Sequence, residues 1–331
     1  MTGRMDGKTV LVTGAGGFIP SHLTERLVAE GATVRAMVRY TSRSDIGYLR
    51  FAPPEIQQQI EFVFGDLRDS NFVSDAVKGI DIVFHLGASI SIPYSYGHPR
   101  EVIETNVMGT LNVLMAAKEH CPNRVLHTST SEVYGTAIRV PMDESHPLQG
   151  QSPYSASKIG ADKMVESFVD SYGMPAVTIR PFNTFGPRQP ARAVIPAIIS
   201  QALMADEVLL GNLSPTRDFT YVDDTVDGFL CAATADGVVG ETINLGTGRE
   251  ISIGELVDTI MGLTGRQVKV KNEAIRMRPR ASEVDRLLSD NSKAKKTLGW
   301  EPQTSLEEGL KQTIAWVKSN PDMFSPGKYA I

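Results

Sequence analysis

The sequence lacks most of the features that would place it in a class at once. It has only two cysteines, Cys121 and Cys231. They lie far apart and form no C-x-x-C pair, which excludes a disulfide scaffold and fits a reduced, cytoplasmic protein. The six histidines are scattered without ligand spacing, so no metal site is expected. Basic charge is not in excess: 33 Lys+Arg against 38 Asp+Glu leave a net charge of -5. A general nucleic-acid surface is therefore not expected, and an anionic ligand has to be held by local arginines. There is no long hydrophobic run either. The longest apolar stretch, 194–205, contains Pro196 and Gln201 and is too short to cross a bilayer, so no membrane partner is expected. The charged N-terminal residues pass directly into a strand pattern, which leaves no secretory signal in view. Internal repeats and Gly/Ser linkers are missing as well.

What remains is a regular alternation. Short β-rich apolar runs at 9–12, 34–38, 60–64, 81–86, 125–129 and 176–179 are separated by helical patterns. Strands spaced by helices imply right-handed βαβ crossovers, hence an α/β fold with a doubly wound parallel sheet of Rossmann type. After Arg180-Pro181 the rhythm loosens, and Pro181, Gly186, Pro187, Pro190 and Pro196 crowd a loop-rich region. With 331 residues, two closely joined domains are expected. Residues 1–182 would bind a dinucleotide, with 222–248 returning to that unit. Residues 183–221 and 249–331 would form a smaller α/β substrate-binding cap. Two longer helices, about 99–119 and 153–172, are candidates for a homodimer interface.

Gly14-Ala15-Gly16-Gly17-Phe18-Ile19-Pro20 follows the first strand and opens a helix. Glycines at such a turn let backbone N–H groups of the loop approach a pyrophosphate at the helix N-terminus, which predicts NAD(P) with Gly14, Gly17, Phe18 and Ile19 around it. The third glycine of the usual pattern is replaced by Pro20, which a first helical turn tolerates but which puts close helix–strand packing in question. The acidic residue expected at the end of the second strand is missing. Arg39 stands there instead, and an arginine at that point suits the 2′-phosphate of NADP, which it favours slightly over NAD. Asp66, next to Leu67 after the third strand, is a candidate acceptor for the adenine amino group. Leu86-Gly87-Ala88 after the fourth strand is small enough to let the cofactor pass.

Tyr154 and Lys158 are four residues apart and, on a helix, share one face. An ammonium beside a phenol favours phenolate, a base able to take a proton from an alcohol. Lys158 is also expected to hold the nicotinamide ribose. Upstream, Thr130-Ser131-Glu132 ends a strand, and Glu132 adds a carboxylate that simple alcohol oxidation does not require.

These motifs together resemble the extended short-chain dehydrogenase/reductase family of nucleotide-sugar enzymes. The resemblance covers nearly the whole chain, through Gly14/Gly17, Asp66, Asn106, Ser129-Thr130, Tyr154/Lys158, Arg180 to Asn183, Arg217 to Phe219, and Leu298 to Pro302. Thr130-Ser131-Glu132 is similar to the triplet of GDP-mannose 4,6-dehydratases, and the C-terminal Arg278-Pro279, Glu283-Val284-Asp285 and Leu287 also resemble that group. Ser91 to Tyr94, Gln149 to Pro153 and Ala191 to Pro196 most resemble the N-acetylhexosamine 4,6-dehydratases of the legionaminic acid pathway type.

The resemblance implies oxidation at C4 of a UDP- or GDP-sugar, elimination of water across C5 and C6, and reduction at C6. Thr130, Ser131, Glu132, Tyr154 and Lys158 would be the catalytic residues. Glu132 would remove the C5 proton, with Ser131 assisting departure of water. Asn183, Arg188, Arg217, Arg278 and Glu283 are the candidates for substrate, since guanidinium forks match phosphate oxygens. Asn106 is expected to anchor a water near Tyr154 and Lys158. The alternatives are a UDP-glucuronate-type decarboxylase, with Arg192, Arg278 or Arg280 at the carboxylate; a 4-epimerase; and a binding module that merely holds NADP.

Overall fold

The computed structural model of the protein describes residues 3–325. Seven strands build one parallel sheet: β1 (Thr9–Thr13), β2 (Thr33–Arg39), β3 (Ile60–Gly65), β4 (Ile82–His85), β5 (Arg124–Thr128), β6 (Ala176–Pro181) and β7 (Thr242–Leu245). Their order across the sheet is β7-β6-β5-β4-β1-β2-β3. Every ladder is parallel, as at β1–β4, where Val10 pairs with Ile82 and Thr13 with His85. Such strands are covered on both faces and read as continuous apolar runs. Val10, Leu11 and Val12 are accordingly fully buried on the two sides of β1. Burying each such side chain contributes roughly 1.5–3 kcal/mol.

The strand order reverses between β1 and β4. Connections leave these neighbours in opposite directions, which opens a crevice beyond their C-terminal ends. β7 forms one edge of the sheet and lies within 222–248, the region expected to return to the dinucleotide-binding unit. Its edge is closed by a side chain: Asn244 N–H donates to Glu144 Oε1 at 2.8 Å.

The helix Pro153–Tyr172 runs from a Ser152 capping box, with Pro153 in its first turn, to a left-handed Gly173. The expected helix at 99–119 is composite. Helical segments Pro99–Ile103 and Gly109–His120 flank a π turn, Glu104–Met108. This wider turn carries Asn106 inward, where its Nδ2 donates to Ser157 Oγ and to Ser89 O, and its Oδ1 accepts from Ser89 N–H. Asn106 thus ties the two long helices and the segment after β4 directly.

Beyond β6 three short ladders appear: Asn183–Phe185 with Phe219–Tyr221, Thr216–Arg217 with Ile251–Ser252, and Glu207–Leu210 with Lys269–Asn272. Helices Val194–Met204, Ile253–Thr264 and Leu306–Ser319 pack around them. One apolar core runs through both parts, joining Val10 and Leu23 to Phe185, Ile198, Leu256 and Leu310. Trp300, fully enclosed, donates from Nε1 to Asp224 O at 2.9 Å.

Candidate active site

The turn after β1 enters the crevice. Gly14 has φ +67, and a Cβ there would lie 2.7 Å from Gly87 Cα in the segment after β4. The two loops touch backbone to backbone, which leaves room for a ligand lying across their tops. Gly17 N–H donates to Gly14 O at 2.8 Å and caps the helix Phe18–Ala29. Pro20 is buried in its first turn, where the missing N–H would have no intrahelical partner anyway. The first i→i−4 bond, from Ser21 N–H to Gly17 O, is intact at 3.0 Å. Packing is therefore not lost at Pro20; the ring fills the place beside Gly17. Phe18, Ile19 and Leu86 pack onto the main core, Leu67 is buried under Gly87, and Ala88 is half-buried. This cradle fits a pyrophosphate-linked dinucleotide.

At the adenosine end expected for such a ligand, Arg39 is largely exposed and stands 4.0 Å from Glu101. It lines a cavity of about 520 Å³ with Arg68, His98, Arg100, Glu101 and Glu104. Asp66 is engaged by Arg68, which donates to it from Nη2 at 2.7 Å and holds its carboxyl below the usual range.

Tyr154 and Lys158 are both buried on the helix Pro153–Tyr172. Here the structure corrects an expectation. Burial pushes the Tyr154 hydroxyl above its ordinary value near 10, with Glu132 and Asp162 adding to the effect and Thr130 and Arg192 opposing it. Lys158 is itself pushed down to about 8 by burial, with Asp162 opposing. Spacing shows the neighbouring charge but not the desolvation of both groups, and desolvation is the larger effect.

Thr130 sits in extended backbone and its Oγ1 accepts from Glu132 N–H at 3.2 Å, which starts the short 3₁₀ turn Ser131–Tyr134. That turn brings Glu132 toward the second part of the chain. Arg278 Nη1 lies 3.6 Å from Glu132 Oε2 and, though buried, has no hydrogen-bond acceptor among the described residues. Arg217 joins the group with Nη2 4.0 Å from Glu283 Oε1. Burial lowers the Arg217 pKa, while the charge of Glu132 raises it. Asp218, its sequence neighbour, is occupied elsewhere, accepting from Thr247 N–H, Gly248 N–H and Ser289 N–H.

The structure thus brings Thr130, Glu132, Tyr154, Arg217, Arg278 and Glu283 to one region, with Ser131 buried at the base of the turn. Arg188 is not among them. It is buried against the first helix, where it pairs with Glu25 and reaches Phe51 O at 3.4 Å. Asn183 opens its short strand with a buried Oδ1 that has no partner among the described residues. Sequence reasoning left out Asp162, which lies one turn beyond Lys158. The signal was present, since 154, 158 and 162 stack on one helix face. Arg192 was considered only as a possible carboxylate partner, yet its charge is felt by both Tyr48 and Tyr154.

The model of a family described as GDP-mannose 4,6 dehydratase matches residues 11–313. The chain belongs to that family. It is one of the extended short-chain dehydrogenase/reductase enzymes of nucleotide sugars. A UDP-glucose 4-epimerase of Mycolicibacterium smegmatis is 34% identical over 316 residues, covering 93% of this chain and 98% of that protein. A dTDP-D-glucose 4,6-dehydratase of Homo sapiens is 33% identical over 324 residues, covering 95% and 91%. Among solved structures, DesIV, a dTDP-glucose 4,6-dehydratase of Streptomyces venezuelae with NAD bound, superposes with a TM-score of 0.88 at 30% identity, over 97% of this chain and all of that one. The family thus includes both dehydratases and epimerases. Among the described residues, no helix is long and apolar enough to cross a membrane.

Proposed function

We propose that the protein is a nucleotide-sugar 4,6-dehydratase, acting on a UDP- or GDP-N-acetylhexosamine to give a 6-deoxy-4-keto sugar. The observation that carries this reading is the placement of Glu132 on the turn that starts at Thr130, where its charge acts on Tyr154. An epimerase that only oxidises and re-reduces C4 has no use for a carboxylate there. When bound, an oxidised nicotinamide dinucleotide accepts and returns a hydride and brings a positive charge to the pocket. The chain supplies the rest. Tyr154 takes the proton of the C4 hydroxyl, and Thr130 hydrogen-bonds the C4 oxygen. A ketone at C4 acidifies C5–H, which Glu132 removes; the C6 hydroxyl leaves as water with a proton returned by Glu132 or with help from Ser131, and C5 regains a proton when C6 is reduced. Lys158 holds the nicotinamide ribose; Arg217 and Arg278, with Asn183 nearby, take the diphosphate and ribose of the substrate. In this reading residues 1–182 with 222–248 hold the dinucleotide and 183–221 with 249–331 hold the nucleotide sugar.

The cofactor is NAD or NADP. Arg39 is the feature that favours NADP, and Glu101 opposes a 2′-phosphate beside it. A homodimer through the two long helices accounts for the exposed Ile103, Met108, Met115 and Tyr172 on them.

A second reading has its own support. Arg278, 3.6 Å from Glu132, is a cation that would pair with the C5 carboxylate of a hexuronate, as a decarboxylase needs. The deciding assay incubates the protein with UDP-GlcNAc, GDP-GlcNAc, GDP-mannose and UDP-glucuronate and weighs the products. Loss of one water from a hexose or hexosamine donor supports the dehydratase; loss of carbon dioxide from UDP-glucuronate replaces it with the decarboxylase, and an unchanged mass with inverted C4 replaces it with the epimerase. Glu132→Gln is expected to leave cofactor reduction visible while abolishing the 6-deoxy-4-keto product.

A further inference from the structure

Behind Tyr154 and Lys158 lies a buried polar cluster that the proposed reaction does not itself use. Asp162 is at its centre, one helical turn beyond Lys158 and 5% exposed. Its Oδ2 accepts from Ser129 Oγ at 2.7 Å, from Arg180 Nη2 at 2.9 Å and from Arg180 Nε at 3.2 Å. Its Oδ1 meets His127 Nε2 at 3.1 Å. His127 belongs to the end of β5, Ser129 directly follows that strand and precedes Thr130, and Arg180 belongs to β6. Ser129 is further pinned by its own N–H, which donates to Ile179 O at 2.7 Å. One carboxylate therefore clamps two strand ends to the helix of Tyr154 and Lys158.

Asp162 also lies four residues beyond Lys158 on the same helix, and its negative charge acts on the Lys158 ammonium. Around the two stand His127 from β5, His85 from β4, Arg180 from β6 and Tyr154 one turn back. Arg180 in turn donates from Nη1 to the Tyr134 hydroxyl at 2.9 Å, which closes the cluster on the far side. Burial holds both histidines below their ordinary range, so neither supplies a lasting positive charge. A buried ion pair of this kind is weak as a source of stability against an apolar replacement. Its placement points to organisation of the site instead.

We propose that Asp162 is a positioning residue: it fixes the strand end bearing Thr130 and Glu132 against the catalytic helix and holds a negative charge one helical turn from the Lys158 ammonium. This rests on the assignment of Tyr154 and Lys158 to proton and ribose binding. With burial already pulling Lys158 down to about 8 and Asp162 opposing, removal of Asp162 lets the ammonium lose its proton lower still.

The test titrates Lys158 directly, by NMR on the full chain labelled with ¹³C-lysine, the resonance being assigned by its absence in Lys158→Arg. In Asp162→Asn the midpoint is expected to fall by about one pH unit or more. Asp162→Asn also strands the buried Arg180 guanidinium. Asp162→Asn/Arg180→Gln, which removes both charges, is therefore measured beside it and is expected to keep a lowered midpoint. Ser129→Ala removes one hydrogen bond to Asp162 and leaves the carboxylate in place. It is expected to leave the midpoint in place while kcat falls about tenfold and KM for the nucleotide sugar changes little. An unmoved midpoint in either folded Asp162 variant overturns the charge role, and an unchanged kcat in Ser129→Ala overturns the clamping role. Failure of the wild-type protein to turn over any nucleotide sugar refutes the functional reading and the clamping role with it, and the Lys158 titration still decides the charge role.

Discussion

Gly14→Ala tests the geometry of the crevice with the least ambiguity. Two costs act at once. The residue holds φ +67, a left-handed conformation that costs an L side chain roughly 1–2 kcal/mol. The new Cβ would also stand 2.7 Å from Gly87 Cα, a backbone atom that cannot swing away. Relieving such overpacking costs about 1–3 kcal/mol more and drives the β1 and β4 loops apart. The sum is about 2–5 kcal/mol, a large part of the 5–15 kcal/mol that holds a typical domain. Gly7→Ala is the matched control, since Gly7 has φ +68 and nothing within 4 Å of its added Cβ. It carries the conformational cost alone. Urea unfolding of both variants without cofactor measures the difference, and calorimetry measures dinucleotide binding. Gly14→Ala is expected to be less stable than Gly7→Ala by at least about 1 kcal/mol and to lose dinucleotide binding, which Gly7→Ala retains. Equal destabilisation, or full binding by Gly14→Ala, would refute the close approach of the two loops.

Lys158 gives a pH signature with a definite sign. Its folded pKa is lowered to about 8 from 10.5, so the unfolded chain binds more protons between those values and stability rises with pH across that window. Relative to Lys158→Met, the wild-type protein is expected to gain about 3 kcal/mol between pH 7 and pH 10.5 in denaturant titrations; a flat difference would mean that Lys158 is not desolvated. Tyr154→Phe is expected to lower kcat by about 10²–10⁴-fold with folding intact, and a smaller loss would move the proton-transfer role elsewhere. Arg39→Glu is expected to weaken NADP by at least about tenfold and NAD hardly at all; equal losses would detach Arg39 from the 2′-phosphate.

Much of the framework was legible because its causes are local. Apolar runs at 9–12 and 34–38 mark strands whatever lies elsewhere in the chain, and β1 and β2 follow them within two residues at either end. The helix Pro153–Tyr172 could be read to its termini because Ser152, Pro153 and Gly173 each impose a local conformation. The π turn around Asn106 was not legible. It depends on Ser89 and Ser157, 17 and 51 residues away. The pairing of Glu132 with Arg278, and of Arg188 with Glu25, likewise joins residues more than a hundred positions apart, and no spacing rule reaches that far.

The sequence by itself determined the α/β class, the glycine turn after β1, and the family, because these depend on short patterns of residue type. It also put Tyr154, Lys158 and Asp162 on one helix face, since 3.6 residues per turn allows nothing else. Only the tertiary structure decided the electrical state of that face. Desolvation depends on what surrounds a group, and Tyr154 and Lys158 are both buried in the folded chain. That is why Tyr154 is driven toward the neutral phenol where spacing alone predicts phenolate.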